Sequence, residues 1–142
     1  MNKYIERLYN EWSKHKQIII GVDFDDTISP YNFNDLYTCQ KVVDLLIACK
    51  STGAYIVIHT ACNKDRYKEI QEYCKDLGLI IDSINITPIS LPYGKDGSKP
   101  YCNIFIDDRA GINEALNMLS TALYLRRSDI VTEQLSIQNL DV

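Results

Sequence analysis

No apolar run in the sequence approaches the roughly 20 residues that cross a bilayer, so no membrane span is expected. The opening residues, MNKYIERLYNEWSKHK, lack the apolar core of a secretory signal. Histidine is scarce, with only His15 and His59, and the five cysteines (Cys39, Cys49, Cys62, Cys74 and Cys102) form no CxxC pair. That inventory argues against zinc, and an odd thiol count does not suggest a disulfide framework. Reduced thiols and a cytoplasmic location are the simplest expectation. Positive charge is not concentrated either: the net charge is −4 and there is no basic block. Tight nonspecific binding to long nucleic acid is therefore not expected. A single phosphate group is not excluded, because it needs only local positive charge. Neither an internal repeat nor a low-complexity segment is present.

What remains reads as an ordinary folded chain. The 142 residues, 46% apolar and 24% charged, fit one domain spanning 1–142. A chain of that length buries roughly two-thirds of its unfolded surface, enough for a proper core. Ile5, Leu8, Tyr9 and Trp12 share a helical face within residues 3–15. Residues 17–23 are an apolar run rich in Ile and Val, the pattern of a buried strand. Pro30 breaks the chain in a loop over 27–34. A helix then carries Leu36, Cys39, Val43, Leu46 and Ile47 and stops at Gly53. AYIVIHT (54–60) is a second strand, Asn63 the N-cap of a helix ending at Gly78, and 79–87 contains a third strand. Residues 88–100, with three prolines and two glycines, are a loop; CNIFIDD (102–108) is a fourth strand. A further helix holds Ile112, Ala115, Leu116 and Leu119, ALYL (122–125) reads as a fifth strand, and the polar tail over 128–142 has no assigned structure.

Strands and helices alternate from 17 to 126, which predicts a mostly parallel sheet in a Rossmann-like α/β/α sandwich. Ligands of such sheets bind at the carboxyl ends of the strands. Those ends carry Asp23 and Asp25, then Thr60, then Asp107 and Asp108, with Lys99 shortly before the last. Oxygen-only carboxylate ligands suit Mg²⁺. A hydroxyl and a lysine suit phosphate oxygens. Each piece alone has a plain structural explanation: an Asp-rich turn, a strand-end threonine, a solvated lysine, a surface ion pair. Their order along the chain is what carries the weight.

The order DFDDT (23–27), IHTA (58–61), Lys99 and FIDDR (105–109) resembles the haloacid-dehalogenase superfamily of aspartate-nucleophile phosphatases. The resemblance implies Asp23 as nucleophile and Asp25 as the acid and base. It implies Thr60 and Lys99 on the phosphoryl oxygens, aided by backbone N–H groups around Phe24 and by Ala61. Mg²⁺ would be held by Asp23, Asp107, Asp108 and the carbonyl of Asp25, with either Asp107 or Asp108 as the direct ligand. Thr27 would shape the turn behind the nucleophile. Two departures stand out. Lys99 lies close to Asp107, with Lys95 as a second candidate in the same loop. Asp26 stands where many members carry glycine, and reads as a turn residue outside the ligand set.

Asp25 favours phosphoryl chemistry over dehalogenation, because halide leaves without a proton. A receiver domain would need its acidic pair at the first strand and Thr and Lys on later ones, an order this chain does not have. Residues 28–35 and 61–98 leave no room for a cap domain, so the site is expected to be open. An open site suits a phosphorylated small molecule or a nucleic-acid end, and a homo-oligomer could cover it. FIDDR also resembles 5′-deoxyribonucleotidases and the phosphatase half of polynucleotide kinases. Tyr31, Phe33, Tyr93 and Tyr101 could stack on a base or pack on the domain. The alternatives are a sugar-phosphate phosphatase of polysaccharide synthesis and a silent protein that binds a phosphate ligand.

Overall fold

A computed structural model of the chain describes residues 2–87 and 101–140. Four strands, β1 (Ile18–Asp23), β2 (Ala54–His59), β3 (Ser83–Ile84) and β4 (Ile104–Ile106), form one sheet in the order β3-β2-β1-β4. Every pairing is parallel. Four helices accompany it: α1 (Lys3–His15), α2 (Leu36–Gly53), α3 (Tyr67–Asp76) and α4 (Ile112–Leu140). The fold is a Rossmann-like α/β arrangement, as the alternation predicts.

Period-two alternation divides each strand between two faces. Ile18, Ile20 and Val22 of β1, Ile56 and Ile58 of β2, and Ile104 and Ile106 of β4 enter the main core with Leu8, Trp12, Val43, Leu46, Ile70 and Leu119 from the helices. The opposite face holds a smaller cluster, Ile19 and Val57, against Tyr55, Tyr101 and Cys102. Tyr101 thus packs on the domain, while Tyr93 lies outside the described residues.

Local chemistry explains the element ends. Asn2 accepts N–H bonds from Tyr4 (3.1 Å) and Ile5 (2.9 Å) and caps α1; Asp35 caps α2 through Thr38 N–H (2.8 Å). Gly53 ends α2 at φ +108°, and a Cβ there would lie 2.3 Å from the carbonyl oxygen of Lys16. Asn63 makes no side-chain cap; a 3₁₀ turn over Lys64–Arg66 follows it, and α3 begins only at Tyr67. β3 is shorter than its apolar run suggests. Asp82 just before it accepts the Ile56 N–H at 2.7 Å and pairs with Lys50 at 2.6 Å, fixing the strand to β2.

The largest departure from expectation lies at the C-terminal end. ALYL is not a strand: it belongs to α4, which runs without a break to Leu140 and takes in the described part of the tail that the sequence leaves unassigned. Ala115, Leu119, Ala122, Leu123 and Arg126 are buried at helical spacing, and a four-residue apolar run cannot by itself distinguish helix from strand. Tyr9 of α1 donates a hydrogen bond to Asp129, tying the far half of α4 to α1.

Candidate active site

β1 ends at Asp23, and the chain turns at once. The Phe24 carbonyl accepts from Thr27 N–H (3.3 Å), Ile28 N–H (2.9 Å) and Ser29 N–H (3.1 Å), which folds DFDDT into a compact loop. The register Ile20↔Ile104 and Val22↔Ile106 sets the residues after β4 beside those after β1. Asp107 and Asp108 therefore meet Asp23 although they lie far from it in sequence. One carboxylate oxygen from each of the three lies within 4.8 Å of the others.

Thr27 joins the two loops. Its buried hydroxyl accepts the Asp108 N–H at 3.1 Å and lies 3.2 Å from Asp23 Oδ2 and 3.5 Å from Asp108 Oδ1. The Asp107 carboxylate accepts the Arg109 N–H at 2.9 Å, which fixes the second loop. Burial, then the charge of Asp107 and the carboxyl of Asp108, push the Asp23 pKa up from 3.8 to about 6. Burial and the two neighbouring carboxyl groups both disfavour the charged form of Asp23. A hard divalent cation fits this donor set: three carboxylate oxygens, no nitrogen, no sulfur, and excess negative charge.

On the other side of β1, β2 ends at His59 opposite Asp23. An open depression of about 500 Å³ is lined by Asp23, His59, Thr60, Ala61, Asn85 and Asp107. The Thr60 hydroxyl accepts the Cys62 N–H at 3.3 Å, which leaves its own proton to donate. Asn85, in the left-handed region at φ +58°, accepts the Thr60 N–H at 2.9 Å and donates to the Thr60 carbonyl at 2.8 Å. A comparable depression of about 520 Å³ beside α3 is lined by Gln71, Lys75, Leu79 and Ile84 among others, and gathers no carboxylate cluster.

The three aspartates of DFDDT have separate surroundings. The Asp25 side chain is not in the carboxylate cluster. Both of its oxygens face Arg66, with Nη1 to Oδ2 at 2.8 Å and Nη2 to Oδ1 at 2.9 Å. Asp26 is outside the carboxylate cluster and has φ +61°, a conformation glycine adopts freely. Its carboxylate accepts N–H bonds from Tyr31 (2.9 Å), Asn32 (3.0 Å), Phe33 (3.0 Å) and Asn34 (3.1 Å). Those bonds hold its pKa below the ordinary carboxylate value, the Phe33 N–H contributing most. Asp26 is a loop organiser, in keeping with its reading as a turn residue. The loop it holds leaves Tyr31 and Phe33 exposed at 65% and 83%.

Asp23, Thr60, Ala61 and Asp107 meet around one depression, with Asp108 joining Asp23 and Asp107 in the carboxylate cluster. Phe24 is 2% exposed and its ring packs edge-on to Tyr73, so its side chain belongs to the core. Lys95 and Lys99 lie outside the described residues. Arg66 and Asn85 are not legible in the sequence as site residues: an arginine early in a helix and an asparagine after an apolar run carry no positional signal. His59 enters the sequence reading only as an imidazole too isolated for zinc, yet it lines the depression, with Nε2 3.7 Å from Cys102 Sγ. Burial lowers the His59 pKa and pushes the Cys102 thiol up to about 12, so the fold disfavours the charged form of both.

No family model matches the chain, and no curated protein does. Among solved structures, a conserved protein from Bacteroides thetaiotaomicron is similar to it, with a TM-score of 0.53 and 21% identity over 67% of this chain and 78% of that one. At that identity the likeness speaks for the α/β fold alone.

Proposed function

We propose that the chain is a Mg²⁺-dependent phosphomonoester hydrolase of the haloacid-dehalogenase type, working through an aspartyl-phosphate on Asp23. One observation carries the reading: Asp23, Asp107 and Asp108 converge from two neighbouring strand ends, with Asp25 two residues beyond the nucleophile.

In this mechanism an Asp23 oxygen bonds to phosphorus as the ester P–O bond breaks, and Asp25 gives the leaving oxygen its proton. Water then attacks the phosphorus and returns a proton to Asp25. The bond between Asp23 and phosphorus breaks, and inorganic phosphate leaves. Thr60 would donate its hydroxyl proton to a phosphoryl oxygen. A divalent cation on Asp23, Asp107 and Asp108 would neutralise the charge between the nucleophile and an incoming phosphate.

A nucleotide or polynucleotide-end phosphate is the preferred substrate class. The exposed rings of Tyr31 and Phe33, on a loop anchored three residues past the nucleophile, support it. The experiment is phosphate release from an aryl phosphate with Mg²⁺, followed by a panel of nucleoside monophosphates, sugar phosphates and phosphorylated oligonucleotides. EDTA is expected to stop the reaction, and Asp23→Asn to reduce it below about a thousandth of wild type. Undiminished turnover by Asp23→Asn would remove the mechanism. Turnover of sugar phosphates alone would remove the nucleotide assignment.

A further inference from the structure

We propose that Arg66 is a positioning residue for Asp25: its guanidinium holds the carboxylate in the orientation from which Asp25 serves the leaving oxygen. The inference rests on the phosphatase reading of the site.

Asp25 stands in a loop, where an aspartate can sample several staggered rotamers. Arg66 removes that freedom. It arrives from the 3₁₀ turn after β2, 41 residues on, and contacts both carboxylate oxygens, at 2.8 and 2.9 Å. Such a two-point contact fixes the carboxylate plane as well as its distance. Arg66 is itself held from another direction. Its guanidinium lies 5.6 Å over the ring of Phe24, and that buried ring meets Tyr73 of α3 edge-on. The Arg66 N–H also donates to the Asn63 carbonyl at 3.1 Å. Arg66 is thereby braced by the residue between Asp23 and Asp25 and by the start of α3.

Stability is a poor explanation for this arrangement. The two side chains are 29% and 30% exposed, so water screens part of the ion pair's energy. Orientation is what a fork of two hydrogen bonds supplies and a point charge does not. A two-point contact also suits an acid that must reach its substrate. Protonation of one oxygen gives up that oxygen's bond to Arg66 and frees it for the leaving group, while the other keeps its bond and limits how far the carboxyl turns.

The test compares the full chain with Arg66→Gln and Arg66→Lys on two esters in Mg²⁺. An aryl phosphate releases its leaving group without a proton; an alkyl phosphate needs one. Arg66→Gln is expected to lose about 10- to 100-fold in kcat/KM on the alkyl ester and less than about threefold on the aryl ester, because kcat/KM reports the steps up to loss of the leaving group and not the later attack of water. Arg66→Lys is expected to recover little of the loss. Carboxyl-carbon NMR of the metal-free chain reads the contact directly, and the Asp25 signal is expected to shift in Arg66→Gln while the other aspartates keep theirs. Equal losses on both esters, full recovery with lysine, or an unmoved Asp25 signal would each overturn the assignment of Arg66. A wild-type chain that turns over neither ester would instead overturn the phosphatase reading, and the kinetic role of Arg66 with it.

Discussion

Asp23, Asp25 and Asp26 span four residues and meet three environments. Asp23 is half-buried against two other carboxylates, Asp25 is gripped by Arg66, and Asp26 gathers four backbone N–H groups. Residue type does not separate them; neighbours brought in by the fold do. The folded pKa of Asp23, about 6, lies above its ordinary value of 3.8, so the fold disfavours the charged form. The resulting destabilisation is absent below the lower value, grows as pH rises through the window between them, and is full above it. Asp23→Asn is therefore expected to stabilise the metal-free chain at neutral pH. Discounted for the solvent exposure of Asp23, the gain is about 1 kcal/mol, or about 2–4 °C in Tm. It should disappear as pH falls toward the ordinary aspartate value. Thermal melts of both proteins across that range measure it, and a gain independent of pH would sink the account.

At the scale of elements, junctions matter more than interiors. Gly53 ends α2 and admits β2 at a point where the carbonyl of Lys16, just before β1, comes close. Its φ of +108° and the 2.3 Å approach of that oxygen leave no place for a Cβ. Gly53→Ala is expected to lower the unfolding free energy by about 2–4 kcal/mol, by strain and displacement together. A urea melt with an unchanged midpoint would contradict this. Thr27 is the corresponding junction inside the site, one hydroxyl bridging the loops after β1 and β4. Strand positions are legible in the sequence because Ile and Val runs mark buried parallel strands. Strand lengths are not: Ser83–Ile84 is short because Asp82 and Lys50 fasten the chain where the apolar run predicts more strand. ALYL reads as strand for a related reason, since its four residues hold barely one turn of the helical period that Ala115, Leu119 and Arg126 reveal over a longer span.

For the whole molecule, charge is the governing quantity. An acidic chain with a net charge of −4 places three carboxylates together, where they repel one another. Mg²⁺ is accordingly expected to stabilise the folded state, by about 2.7 kcal/mol when its concentration is 100 times Kd. Differential scanning fluorimetry with and without Mg²⁺ reads this as an upward shift in Tm. Asp107→Asn or Asp108→Asn should cut the shift, and whichever variant abolishes it marks the direct ligand. No shift in the wild-type chain would speak against a cation in the cluster. Among the described residues, no helix is long and apolar enough to cross a membrane.

The linear sequence determined the alternation of strands and helices, and with it the parallel α/β class, because hydrophobic periodicity is a local property. It also determined which carboxylates stand at strand ends. Only the tertiary structure decided that β4 lies beside β1, since strand order depends on contacts between segments far apart in the chain. That pairing brings Asp107 and Asp108 to Asp23, and a separate turn brings Arg66 to Asp25. The three similar letters of DFDDT acquire distinct surroundings, Asp23 and Asp25 from distant neighbours and Asp26 from the loop that follows it, because a carboxylate's behaviour is set by the charges and donors within a few ångströms of it.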